Sequence, residues 1–254
     1  MNHSLVIIAS GKSTRFGGFP KAFCSLGKMR NVERTIALAK PYFEEIFVVV
    51  NQETYAAGFC DQLDAKTISI VTGQGDADSL LKALQQIRMQ LEASGVVVAC
   101  WGDAIFVSEE PFRKMKEYTE AWNTETGILV GCSVDQEPYA WFETNGNMIC
   151  RSHFRKLESN PCSEGLHDQS IFAFRFPQII SYLEQYKKYL GLDVYDQDTY
   201  EASRGEMKLL DAFAYFYDTE SIPAAEWRML PGNLVQAFNT KEELDQIIKS
   251  MVEN

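Results

Sequence analysis

Residues 4–21 read SLVIIASGKSTRFGGFPK, and the passage from the first six of them to the remainder decides the fold. Residues 4–9 form a short apolar run rich in β-branched side chains, which suits a strand covered on both faces. Directly behind it comes a loop holding Gly11, Gly17, Gly18 and Pro20. Small residues just after a buried strand let backbone N–H groups approach an anionic ligand closely. The loop also carries Lys12, Arg15 and Lys21. Arginine offers a planar fork to two phosphate oxygens, and lysine a mobile point charge. Gly11-Lys12-Ser13 imitates the end of a P-loop, but the glycine which that motif requires five residues earlier is Val6. The P-loop reading fails.

Beyond this loop, Asn31 is placed to cap a helix reaching Ala39, with Pro41 past its end. Residues 45–51 (EIFVVVN), 67–72 (TISIVT) and 96–100 (VVVAC) are further apolar strands. Ser79 opens a helix that sets Leu80, Leu81, Leu84, Ile87 and Leu91 at helical spacing. Continuous apolar strands alternating with helices imply the α/β class: a Rossmann-like, mostly parallel sheet with helices on both faces. The second half reads as more antiparallel. Residues 127–133 suit a strand, 140–143 and 148–150 flank the hairpin signal Thr144-Asn145-Gly146-Asn147, and 168–176 suit another strand. Helices are expected near 178–189 and 206–216, then a strand at 234–238 and a closing helix at 240–252. No linker divides the chain, so the expectation is a single domain over 1–254, its halves meeting near residue 105.

The chain has 254 residues, 46% hydrophobic and 23% charged, enough to bury a core without staples. It lacks the run of ~18 apolar residues that a membrane helix needs. Residues 1–10 have no basic segment followed by a cleavage site, and the six cysteines are scattered singly. Reduced thiols in a cytoplasmic protein are therefore expected. A net charge of −11 argues against nucleic acid and anionic membranes as partners. The charge is uneven: residues 1–32 hold five basic side chains and no acidic one, leaving −16 on the rest. A basic island in an acidic chain suits a local anion site, the plain alternative being a solvated basic edge.

The run Ile8-Ala9-Ser10-Gly11-x-Ser13-Thr14-Arg15-Phe16, followed by Pro20-Lys21, resembles the signature of nucleotidyltransferases that activate sugar phosphates and related small phosphates. Their pattern is roughly Leu-Ala-Ala-Gly-x-Gly-Thr-Arg-Met and then Pro-Lys. Ser10 and Ser13 depart from it, and both are small. Gly75-Asp76-Ala77-Asp78-Ser79-Leu80 is similar to the family segment that contacts base and ribose. Gly102-Asp103 falls where the family places a magnesium-binding aspartate. Gly205-Glu206-x-x-x-Leu210-Asp211 and Phe238-Asn239-Thr240-x-x-x-Leu244 resemble two later segments, the second bearing an Asn or Asp as a further metal ligand.

The resemblance implies a GT-A-like nucleotidyltransferase fold, with NTP bound by residues 1–105 and the acceptor by the antiparallel extension over 106–254. It implies Arg15, Lys21 and Asp103 as catalytic residues and Mg²⁺ held by Asp103 and Asn239. Substrate contacts would come from Ala9, Ser10, Gly11, Lys12, Ser13, Thr14, Gly75, Asp76 and Gly102, and on the acceptor side from Tyr139, Lys156 and Glu206. The implied partners are an NTP, with CTP or UTP favoured, and a small phosphorylated acceptor; nucleic acid and membrane are not expected, and a homodimer stays open. A phosphate monoester has a second pKa of ~6, so the attacking group needs no general base. That suits a chain whose histidines (His3, His153, His167) all lie outside the head loop.

Plain alternatives stand beside these roles. Asp103 suits a strand-end turn, Asn239-Thr240 a helix cap, and Asp76 and Asp78 caps of their own helix. The family's Val-Glu-Lys and Asn-x-Gly elements are not evident, a departure that counts against a hexose phosphate and opens room for a smaller or amine-bearing, phosphocholine-like one beside the sugar phosphates. Tyr139, Trp141, Phe142 and Phe154 either line that pocket or pack beneath it. A molybdopterin guanylyltransferase-like enzyme and a catalytically silent nucleotide-binding regulatory domain are the competing readings.

Overall fold

The computed structural model describes residues 3–71, 73–91, 95–122, 126–192, 206–232, 234–238 and 240–253. The opening apolar run becomes strand β1 (Ser4–Ile8), with all five residues buried. It lies between the equally apolar β2 (Glu45–Asn51) and β4 (Val96–Trp101), and β3 (Lys66–Ile70) flanks β2. These four pair in parallel. The sheet then continues through β8 (Glu164–Arg175), β5 (Ile128–Gln136), β9 (Ala225–Met229), β7 (Met148–Phe154) and β6 (Ala140–Asn145), giving the order β3-β2-β1-β4-β8-β5-β9-β7-β6. Here β8 runs antiparallel to both β4 and β5, β6–β7 is the expected antiparallel hairpin, and β9 lies parallel to β5. Both halves of the chain thus share one mixed α/β sheet.

Alternation along the strands divides the core in two. Val6 and Ile8 face one side with helices α2 (Asp76–Gln86), α4 (Gln178–Tyr189) and α5 (Leu209–Asp218). Leu5 and Ile7 face the other with α1 (Asn31–Ala39) and α3 (Glu110–Glu120). A last helix, α6 (Lys241–Glu253), packs through Leu244 against Cys24, Ile105 and Phe238. Among the described residues no helix is long and apolar enough to cross a membrane, and all six cysteines are free thiols.

Several element boundaries differ from those expected. The second long helix starts at Asp76 rather than Ser79, and 206–208 is extended, so that helix begins at Leu209. The last short strand shrinks to Val235–Gln236, which leaves the main sheet to pair with Ile105–Phe106. Asn31 does not cap α1. It is the first helical residue, fully buried, while Glu33 accepts the Arg30 N–H at 2.7 Å. Helix α3 and strand β9 were not foreseen, although Phe112, Met115 and Thr119 keep helical spacing and Ala225, Trp227 and Met229 alternate with Glu226 and Arg228.

Register places the site. Ile8 pairs with Trp101 at the carboxyl ends of β1 and β4, so the loops that follow, from Ala9 and from Gly102, leave the sheet side by side. A ligand crevice is expected outside strand ends of this kind. Gly102 permits the approach, because a Cβ there would meet the Ala9 Cβ at 2.9 Å.

Candidate active site

The head loop is shaped by a residue in a costly conformation. Ser13 has φ 48° and ψ 37°, the left-handed region in which glycine is at ease. Its carbonyl accepts the N–H groups of Phe16 and Gly18, and its Oγ accepts the Lys21 N–H at 3.1 Å. The serine thus ties the start of the loop to Lys21 at its far end. Asn51, at the end of β2, donates to the Ser10 carbonyl at 3.2 Å and fixes the other side.

Lys21 is the hinge of the site. Its side chain is 12% exposed, and its ammonium donates to the Phe238 carbonyl at 2.8 Å and stands 3.5 Å from Asp103 Oδ2. Asp103 is half exposed and turned to the cleft. Two cavities meet here. The first, about 630 Å³, runs along Ala9–Thr14 and the Gly73–Asp76 loop. The second, about 730 Å³, is walled by residues 135–140, Phe154, Lys156 and residues 167–170. Lys21, Asp76, Trp101, Asp103, Glu206 and Lys208 border both. The arrangement is one cleft with two lobes and a charged waist.

The Gly73–Asp76 loop is stitched to the extended segment 206–208. Met207 N–H donates to the Gln74 carbonyl at 2.6 Å, Ala77 N–H to the Met207 carbonyl at 3.0 Å, and Leu209 N–H to Asp76 Oδ1 at 2.8 Å. Gly75 is required at the crossing: its φ is 125° and a Cβ would lie 2.5 Å from the Met207 carbonyl oxygen. Burial pushes the Asp76 carboxyl up to about 6 against the pull of the Leu209 and Ala77 N–H groups, and the charge of Asp168 adds to the rise. Burial likewise raises Asp168, whose Oδ1 accepts the Ser170 N–H. Asp78 behaves oppositely. Burial would raise it too, but Lys187 at 2.7 Å, Lys82 at 2.8 Å and the Gln74 N–H at 2.9 Å hold it below the usual carboxylate range.

In the second lobe, β8 is interrupted between Asp168 and Phe172, with Ser170 at φ 57°, and this bulge turns residues 168–170 to the cavity wall. His167 Nε2 lies 2.6 Å from Asp135 Oδ2, and Gln169 Nε2 donates to Ser133 Oγ at 2.7 Å. Lys156 sits over the Tyr139 ring at 5.9 Å and Lys208 over Phe154 at 5.2 Å. Ser10 Oγ and Gln74 Oε1, both on first-lobe residues, have no hydrogen-bond partner among the described residues.

The comparisons bear on this geometry. The model of the MobA-like NTP transferase domain matches residues 5–173, well over half of the sequence. The chain belongs to that family. No curated protein matches it. Among solved structures, a protein assigned as glucose-1-phosphate thymidylyltransferase from Bacillus anthracis superposes with a TM-score of 0.71 at 14% identity, covering 99% of this chain and 96% of that one. The inositol-1-phosphate CTP transferase of T. maritima gives 0.65 at 17% identity over 100% and 96%. At such identities these likenesses speak for the fold.

Within this NTP transferase domain, the residues expected from sequence fall as follows. Ala9, Ser10, Gly11, Lys12, Ser13, Thr14, Gly75 and Asp76 wall the first lobe, Tyr139 and Lys156 the second, and Lys21, Asp103 and Glu206 the waist. Gly102 borders neither lobe; it serves the approach of β4 to Ala9. Arg15 lies in the short turn Thr14–Phe16, and its side chain is outside the described set; Asn239 and Gly205 are likewise outside the described residues. Of the four aromatics considered, Tyr139 and Phe154 line the second lobe. Phe142 is instead core, 6.1 Å from Phe213, and Trp141 stacks on His153 at 5.4 Å. Lys208 borders both lobes beside Glu206 and was missed, because in the helix expected over 206–216 positions 206 and 208 do not share a face.

Proposed function

We propose that the chain is a Mg²⁺-dependent nucleotidylyltransferase that transfers NMP from an NTP, CTP or UTP by preference, to a small phosphorylated acceptor such as a sugar phosphate or a phosphocholine-like phosphate, releasing pyrophosphate. The carrying observation is the two-lobed cleft, whose lobes touch at Lys21 and Asp103. Both structural neighbours bear pyrimidine nucleotides in their names, which supports the base preference.

In this reading the first lobe takes the NTP, with the small residues at 9–13 allowing its phosphates against the backbone. The acceptor lies in the second lobe with its phosphate at the waist. One of its oxygens attacks the α-phosphorus in line; the new P–O bond forms as the α–β anhydride bond breaks, and the electron pair leaves on pyrophosphate. No proton has to move, since the attacking phosphate is already ionised near neutral pH. The work of the protein is therefore alignment and charge stabilisation. Lys21, held by the Phe238 carbonyl, presents an ammonium where the two anions would otherwise repel. The donors suit magnesium, which binds through one or two carboxylates and keeps phosphate and water oxygens in its other positions. Asp103 is such a carboxylate, open to the cleft, and no group of three His, Cys, Asp or Glu side chains that would form a full cage occurs among the described residues. When bound, the ion supplies phosphate charge neutralisation.

A grid of NTPs against phosphorylated acceptors, scored for pyrophosphate with and without Mg²⁺, tests the reading. Release is expected only where a pyrimidine NTP, an acceptor phosphate and metal are all present. Release with none of the pairs would favour a silent nucleotide-binding domain, and release confined to GTP a guanylyltransferase.

A further inference from the structure

Asn31 stands outside everything so far assigned. It borders neither lobe, is 0% exposed, and so touches no substrate. Its amide nitrogen donates at 3.0 Å to the Gly102 carbonyl and at 3.0 Å to the Ala104 carbonyl, the two peptide groups on either side of Asp103. Only an NH₂ group can face two carbonyls, so the orientation of the amide is fixed by its partners. The other end, Oδ1, is buried with no partner among the described residues. A buried acceptor left unsatisfied costs stability, a cost an apolar side chain would avoid only by taking the donor away from the Gly102 and Ala104 carbonyls. Both hydrogens of the amide are nevertheless committed to the loop that carries the carboxylate. Among the described residues the turn is further held by Gly102 N–H to the Ile8 carbonyl at 2.8 Å and Ala104 N–H to the Trp101 carbonyl at 3.2 Å, and the Asp103 carboxylate faces the Lys21 ammonium at 3.5 Å.

We infer that Asn31 is a positioning residue, which clamps the Gly102–Ala104 turn so that the Asp103 carboxylate is presented to the metal–nucleotide complex. This rests on the reading of Asp103 given above. Being the first residue of α1, Asn31 joins that helix to the tip of β4, and losing its hold on the two peptide groups beside Asp103 would cost geometry rather than charge.

The test is equilibrium binding of CTP and of UTP, without acceptor, in Mg²⁺ and in EDTA, to wild type, Asn31→Leu, Asp103→Asn and the double variant, with thermal unfolding of each recorded. Wild type is expected to bind more tightly when Mg²⁺ is added. Asn31→Leu should lose about 10-fold or more of that tightening while its affinity in EDTA stays within about two-fold. In the double variant, Asn31→Leu should add nothing to Asp103→Asn. Asn31→Ser serves in the same scheme should the leucine variant not fold. Full tightening in Asn31→Leu, equal losses with and without metal, or full additivity on Asp103→Asn would overturn the proposal. Identical metal responses of wild type and Asp103→Asn would instead refute the role of Asp103, and the proposal would fall with it.

Discussion

Single residues carry charges whose surroundings make definite predictions. Asp103→Asn keeps the shape of the turn and removes the charge, so turnover should fall by about 10²-fold or more while NTP still binds; steady-state kinetics beside equilibrium binding would measure both. Asp76 yields a pH test. Its folded-state carboxyl titrates at about 6 against an ordinary 3.8. Between about pH 4 and 6 the folded chain therefore holds this proton more tightly than the unfolded chain, and stability falls as pH rises through that window. Two pKa units bound the loss at about 3 kcal/mol, less after solvent screening. Asp76→Asn retains an oxygen for the Ala77 and Leu209 N–H groups and sheds the charge that Asp168 opposes. It should raise the unfolding temperature at pH 8 by about 3–6 °C and at pH 4.5 by only about a third as much, since the unfolded carboxyl is already mostly ionised there. An equal shift at both pH values would refute the cause. At this scale the sequence was legible where chemistry is local: small residues and cations after a buried strand announced Lys21 and its loop. Asn31 was not legible. A helix-start asparagine reads as a cap, and only the fold, which brings Gly102 and Ala104 to it, shows where its amide points.

Elements were read correctly where periodicity decides them and misplaced where a distant partner does. The four parallel strands are apolar throughout because both of their faces are covered, and they announce themselves. The 206–208 segment was taken as helix because nothing within it reports the Gln74–Ala77 loop, some 130 residues earlier in the chain, whose backbone it pairs with. The start of α2 was misplaced for the same reason: Asp76 and Asp78 resemble caps, yet Asp76 holds Leu209, and Asp78 holds Gln74, Lys82 and Lys187. Asp78 has a side chain of 0% exposure that unites α2, α4 and the first-lobe loop. Asp78→Ala should cost about 2–3 kcal/mol, at the low end for a broken buried pair because both lysines are partly exposed and can turn to water. The same variant should raise KM for the NTP more than it lowers kcat, since it frees the Gln74 N–H. Chemical denaturation and initial-rate kinetics check the two halves of this expectation. A loss of kcat alone would contradict the assignment of that loop to NTP binding.

Among the described residues the whole molecule is organised on one large mixed sheet, whose parallel half ends in one lobe of the cleft and whose antiparallel half builds the other. This division was legible from the change of strand pattern after residue 105. The identity of the acceptor was not, because the second lobe is assembled from β5, β6, β7, a bulge in β8 and the 206–208 segment, which only tertiary pairing brings together. The account stands on the waist, where Lys21 faces both lobes and reaches Asp103 and the Phe238 carbonyl. Its most direct test is the rate of pyrophosphate formation, matched to that of the NMP–acceptor product, in wild type and Lys21→Ala at saturating NTP, acceptor and Mg²⁺. The account predicts equal amounts of the two products from wild type and a rate lower by about 10²-fold or more in the variant. An undiminished rate in Lys21→Ala, or pyrophosphate formed at the same rate without any acceptor, would contradict it.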